Sequence, residues 1–318
     1  MIPWREAWHE ALYGSSGFYR GSAGPAGHFT TSTHGPLGVV LAQALGRLAD
    51  REGAAHVVDI GCGRGELLTR LHAARPDLAL TGVDIVTRPP GIPDAVAWVR
   101  SPGGGALPDD LRGLEDALVV AHEWLDVVPC TIAQVVAPGQ LAVVLVDPAT
   151  GEEGLGGSPS EEELAWCQRH WPVDGLPVGA RVEIGVTRDA AWSDLVSRVR
   201  SGAVLAVDYG HLAGERPVGG TLSAYRAGAL VVPVPDGSCD LTAHVAIDSL
   251  EHDEAATQRD WLRDLGVTAA LPAHNLARTD PPGYVEALAT SSAAAALTEP
   301  NGLGAFHWVL RRCGTLTT

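Results

Sequence analysis

Residues 56–74 constrain the fold more than any other part of the chain. His56-Val57-Val58-Asp59-Ile60 is a short apolar run that reads as a buried strand. It leads into Gly61-Cys62-Gly63-Arg64-Gly65, and residues 66–74 then carry helical spacing until Pro76-Asp77 breaks it. A strand that turns through glycines into a helix opens a βαβ unit. The glycines let the backbone turn tightly and approach a ligand closely, and the helix start offers unpaired N–H groups. A dinucleotide site would use G-x-G-x-x-G to seat a pyrophosphate. Here the spacing is G-x-G-x-G with Asp59 just ahead of it, which disfavours NAD.

The strand-and-crossover pattern continues. Residues 78–84 form a second strand candidate ending on Asp84, residues 96–99 a third and residues 117–121 a fourth. Repetition at this spacing predicts a parallel sheet covered by helices on both faces. Helices are expected over 4–12 and 37–48, with a loop from 18 to 33 between them. Residues 131–136 and 141–146 read as a hairpin turning at Pro138-Gly139, followed by a polar linker, a helix ending near Trp171 and another over 189–200. Residues 203–208 resume the sheet and residues 305–310 close it. The expected organisation is an N-terminal helical and lid segment (1–52), a ligand-binding Rossmann half (53–130), a substrate-side insertion (131–186) and the remaining sheet with further substrate-side elements (187–318). The fold class is α/β.

Composition excludes several classes. The net charge of −16, with no lysine in the chain, argues against a nucleic-acid binder, which needs a concentrated basic surface. It leaves open a basic partner, and equally an acidity that serves only solubility. No apolar run approaches the roughly 20 residues of a membrane span, and no secretory leader is visible at the start, so a cytoplasmic location is expected. Five scattered cysteines form no CxxC pair, so neither a metal nor a disulfide framework is expected.

The loop, with its preceding acid, resembles motif I of class I S-adenosylmethionine (SAM) methyltransferases. Asp84, about 20 residues further on, stands where an acid accepts ribose hydroxyls. Five further segments resemble one family, the MidA-like methyltransferases. They are Gly27-His28-Phe29-Thr30-Thr31-Ser32, His122-Glu123-Trp124-Leu125-Asp126-Val127-Val128-Pro129, Asp208-Tyr209-Gly210, Gly220-Thr221-Leu222-Ser223-Ala224-Tyr225 and Asp240-Leu241-Thr242-Ala243-His244-Val245. The resemblance implies a Rossmann-like SAM enzyme with Asp59, Gly61, Cys62, Gly63, Gly65, Asp84 and His122 around the cofactor. Thr31 and Ser32 either cover it or cap the next helix. Asp59 and Cys62 replace the family's usual Glu and Pro, and His122 replaces its Asn.

The family's mitochondrial target is an arginine, which implies a protein substrate with a basic side chain. Glu123 and Asp126, three residues apart, are expected on one face of a helical turn, where they grip a guanidinium or serve only as caps. His122 is expected beside the methyl donor. His244 is either a base or a structural histidine. Methylation of a small metabolite's oxygen or nitrogen, and a silent assembly factor keeping the SAM fold, are the alternatives.

Overall fold

The computed structural model describes residues 1–21, 33 and 35–314. Its centre is a seven-stranded sheet of β1 (His56–Ile60), β2 (Ala79–Asp84), β3 (Val96–Arg100), β4 (Ala117–His122), β5 (Gly202–Asp208), β6 (Glu254–Thr257) and β7 (His307–Cys313). The spatial order is β6-β7-β5-β4-β1-β2-β3, and β7 alone runs antiparallel to its neighbours. The order reverses between β1 and β4. A crevice therefore opens at the carboxyl ends of those two strands, the place where open α/β sheets bind ligands.

Alternation along each strand decides the two layers. Val57, Leu80, Leu118, Val120 and Leu205 face one side, and the helices packed there are α2 (Gly35–Arg51), α3 (Glu66–Ala74), α6 (Gln258–Asp264) and α8 (Pro281–Leu297). Val58, Ile60, Val119, Val204 and Ala206 face the other side, against Trp192 and Leu195 of α5 (Val186–Ser197). Burial on both faces explains why these strands read as near-continuous apolar runs.

Residues 131–184 leave the central sheet. Strands Thr131–Ala137 and Gln140–Val146 form the predicted hairpin, joined by Arg181–Ile184, Glu153–Leu155 and the N-terminal pair Ile2–Pro3 in a separate sheet. The polar linker thus contains a short strand. The helix after it, α4 (Glu161–His170), starts at a capping box formed by Ser160 and Glu163. Helix α1 (Trp4–Tyr13) is pinned through its aromatic side chains. Trp8 Nε1 donates to the Leu241 carbonyl (3.0 Å) and the Tyr13 hydroxyl to that of Val127 (3.0 Å). The remaining helix, α7, is the single turn Leu276–Thr279.

A third small sheet, Ser223–Arg226, Ala229–Val231 and Asp240–Thr242, stands over the carboxyl edge and was not anticipated. Its strands are only three or four residues long, too short for periodicity to reveal. None of the described helices is long and apolar enough to cross a membrane.

Candidate active site

The glycine loop adopts the conformation its residues allow. Gly61, Gly63 and Gly65 have φ of 68°, 58° and 76°, in the left-handed region. A Cβ at Gly65 would stand 2.5 Å from Ile92 Cδ1, and one at Gly61 3.3 Å from Trp124 Cδ1. At Gly63 it would meet nothing nearer than Glu66 Oε2 at 3.7 Å, so here the open side belongs to the crevice. Asp84 closes the loop from below. Its Oδ2 accepts the Gly63 N–H (2.8 Å) and its Oδ1 the Val86 N–H (3.1 Å). Burial pushes the Asp84 carboxyl up to about 6 against those donors. Burial, reinforced by Asp84 and Glu66, pushes Asp59 up to about 8.

The segment after β4 differs from the expected helical turn. No helix follows His122. Glu123 takes φ of 52°, an unusual conformation for a side chain of its size, and its N–H donates to the Val207 carbonyl (2.8 Å). Asp208, at the end of β5, then holds the next residues, its Oδ2 accepting the N–H groups of Leu125 (3.0 Å) and Asp126 (3.2 Å). Buried Arg188 of α5 donates to the carbonyls of Asp126, Val128 and His244. These tertiary bonds replace the helical ones, so Glu123 and Asp126 do not share a helix face.

Asp126 is 3% exposed. Its Oδ2 accepts from the hydroxyls of Tyr209 and Thr242 (2.7 Å for the latter), while Oδ1 is buried with no hydrogen-bond partner. Burial raises its pKa, and the two hydroxyls oppose that. Asp208 Oδ1 is likewise buried and unpartnered, and burial, with Asp126 and Glu123 nearby, raises that carboxyl strongly. His122 Nδ1 lies 3.4 Å from Glu123 Oε1, and burial lowers the imidazole to about 4, so the ring is neutral at pH 7.

A cavity of about 840 Å³ gathers most of the sequence-predicted residues: Asp59, Gly61, Cys62, Gly63, Asp84, His122, Glu123, Asp126 and His244 all line it. Gly65 shapes the loop behind it. Thr31 and Ser32, with the segment 27–30, lie outside the described residues. The sequence reading gave no role to Tyr13, Tyr19, Tyr225, Asp240, Thr242 and Phe306, which also line the cavity. Asp240 and Thr242 stood inside a segment noted for its resemblance, which was the available signal. The loop Ser101-Pro102-Gly103-Gly104 gave none beyond its glycines, although Gly104 receives the Trp124 Nε1 hydrogen bond (3.2 Å).

These residues fit SAM. The volume lies within the roughly 300–1,000 Å³ of small-molecule sites. The backbone at Gly63 is open to a ligand, and Asp84 stands beside it. Glu66, Asp84 and Glu123, with the carboxyls of Asp126 and Asp240 beyond them, supply an acidic lining suited to a sulfonium cation. Of the two arginines, Arg88 is committed to the carbonyls of Val96, Ile92 and Pro93. Among the described residues, no group of three His, Cys, Asp or Glu is placed to hold a metal ion.

Comparison with known proteins agrees with a SAM-dependent methyltransferase. Residues 70–263 match the family of S-adenosyl-L-methionine-dependent methyltransferases, and the chain belongs to it. That membership fits the MidA-like resemblance. Among solved structures, one protein from Burkholderia thailandensis, bound to S-adenosyl-homocysteine, superposes with a TM-score of 0.76 at 22% identity. The match covers 97% of this chain and 87% of that one. The native crystal structure of a Burkholderia thailandensis protein of the same superfamily gives 0.75 at 22% identity, over 98% and 87% of the two chains. Both likenesses establish the shared fold. No curated protein matches the sequence.

Proposed function

We propose that this SAM-dependent methyltransferase transfers the methyl group to a cationic side chain of a protein, an arginine, presented to the carboxyl end of β4. The observation that carries the reading is Glu123, held in a left-handed conformation at the strand end inside an acidic cavity. Backbone strain of this kind costs about 1–3 kcal/mol and persists where the surroundings impose it, often at active sites. Bound SAM supplies an electrophilic methyl carbon on a sulfonium.

The protein's own task is alignment, because in-line transfer depends on the approach of the acceptor nitrogen. Gly61, Cys62, Gly63 and Asp84 hold the cofactor's length, with Asp59 beneath them and neutral His122 at the reacting end. Glu123 and Asp126 orient the acceptor. His244, exposed and packed edge-on against Tyr209 at 5.2 Å, accepts the proton that the acceptor nitrogen loses. The acidic lining and net charge of −16 support a basic protein partner over nucleic acid.

Methyl-labelled SAM incubated with cell lysate tests this. Label is expected in protein and, after acid hydrolysis, in methylarginine. Label confined to extracted metabolites would overturn the protein assignment, and full activity in Glu123→Gln would overturn the role of Glu123.

A further inference from the structure

The small sheet above the carboxyl edge brings a second carboxylate to the acceptor end. Asp240 and Thr242 alternate with Leu241 along one strand, so their side chains share a face about 7 Å apart. Leu241 packs into the core beneath α1. Thr242 Oγ1 donates to Asp126 Oδ2 (2.7 Å), so its face of the strand is turned towards Asp126. Asp240 therefore stands one strand repeat from the Asp126 contact, on the same face. It is 6% exposed, lines the same cavity, and accepts a single side-chain hydrogen bond, from the Tyr19 hydroxyl (2.7 Å).

Two buried carboxylates this close repel each other, and burial raises both above the ordinary carboxylate range, Asp240 to about 7. Among the described residues no arginine bonds either one. Arg188, the nearest buried cation to Asp126, spends its donors on backbone carbonyls. Asp126 Oδ1 is left without any partner. A buried, under-donated acid pair facing a ligand cavity is the complement of an organic cation carrying several N–H donors, and a guanidinium supplies five.

We propose that Asp240 pairs with Asp126 to form the seat that selects a guanidinium over a neutral acceptor, with Asp240 the specificity-determining residue. This rests on the reading of the acceptor as a cationic side chain. The Tyr19 hydroxyl orients the Asp240 carboxylate, and the Tyr209 and Thr242 hydroxyls orient that of Asp126. The seat's residues make no hydrogen bond to the glycine loop, so cofactor affinity is expected to be independent of it.

The test compares N-acetyl-arginine amide with its neutral isostere N-acetyl-citrulline amide, titrated by calorimetry into the full chain saturated with S-adenosylhomocysteine. The wild-type protein is expected to bind the arginine probe at least tenfold more tightly. Asp240→Asn should remove that preference while binding S-adenosylhomocysteine within about threefold of wild type. Tyr19→Phe, which removes the hydroxyl that orients the Asp240 carboxylate, should weaken the preference and provides a second variant if Asp240→Asn fails to fold. A wild-type protein indifferent to the two probes would overturn the cationic-acceptor reading itself. A wild-type preference that survives in Asp240→Asn, or is undiminished in Tyr19→Phe, would overturn the seat alone. Loss of S-adenosylhomocysteine binding in Asp240→Asn would assign the carboxylate to the cofactor and likewise overturn it.

Discussion

Substituting alanine at Gly63 and at Gly65 should separate ligand binding from stability within one loop. Both residues are left-handed, with φ of 58° and 76°, and an alanine there costs about 1–2 kcal/mol of backbone strain. The space around them differs. At Gly65 the new methyl stands 2.5 Å from Ile92 Cδ1 and 3.4 Å from Trp98 Cζ3, so the buried Ile92 must shift. Overpacking of this size adds about 1 kcal/mol, the lower end of its usual range because the obstructing atom ends a side chain. Gly65→Ala should therefore lose about 2–3 kcal/mol of stability and bind SAM within about threefold of wild type, since its Cβ points away from the cavity. At Gly63 the methyl meets no protein atom closer than 3.7 Å, so stability falls by the strain alone. That methyl instead occupies space on the cavity side, and SAM should bind at least tenfold more weakly, about 1.4 kcal/mol. Urea unfolding without ligand and calorimetric titration with SAM give the two orderings. They are expected to be opposite. Wild-type SAM affinity in Gly63→Ala, or weaker binding in Gly65→Ala than in Gly63→Ala, would refute the placement of the cofactor against Gly63.

Three further outcomes follow from the same geometry. Glu123→Gly relieves the left-handed strain and should leave the protein at least as stable in urea while lowering methyl transfer tenfold or more; a clear loss of stability would show the strain argument to be wrong. Arg188→Leu strands the buried carbonyls of Asp126 and Val128 and the half-buried one of His244, each buried carbonyl costing about 1–3 kcal/mol, and should lower stability by about 3 kcal/mol or more by chemical denaturation. Asp59 and Asp240, pushed up to about 8 and about 7, hold protons in the folded state that the unfolded chain has released, so that part of the stability disappears as pH rises through those values. Buried His122 and His211 act oppositely, but only below about pH 6.5, where the unfolded chain takes up protons. Unliganded protein should therefore lose stability between pH 6.5 and 8, by up to about 1.4 kcal/mol per pH unit for each proton released. Asp59→Asn should flatten the slope, and stability that rises over this interval would contradict the assignment.

The parts of the fold legible in the sequence are those set by local pattern. The strands at 56–60, 79–84 and 117–122 are buried on both faces and long enough to read as apolar runs, and the glycines that follow the first have few other uses. Gly61, Gly63 and Asp84 meet because adjacent parallel strands bring their carboxyl ends together, a consequence of topology that spacing alone conveys. The acceptor side was less legible because non-local bonds build it. Helical spacing between Glu123 and Asp126 suggested a turn of helix, but Asp208 and Arg188, some 60 to 85 residues away, capture the N–H and carbonyl groups such a helix would use. Asp240 and Tyr19 are 221 residues apart, and no period in the chain relates them.

The same contrast bears on how the site holds its shape. The cofactor half is stiffened by glycine geometry and by Asp84, both continuous with the sheet. The acceptor half hangs on charged side chains that bond backbone: Asp208 on the N–H groups of Leu125 and Asp126, and Arg188 on the carbonyls of Asp126, Val128 and His244. Arg188 therefore touches both the turn after β4 and the segment that carries His244. A change at Arg188 moves Asp126 and His244 together, whereas a change at Asp208 moves the turn alone. Arg188→Lys should accordingly lower methyl transfer more than Asp208→Asn does, with SAM affinity little altered in either, because neither side chain reaches the glycine loop. Single-turnover transfer and SAM titration on the two variants decide it. The reverse ranking would mean that the placement of the turn, not its registry with His244, controls the acceptor.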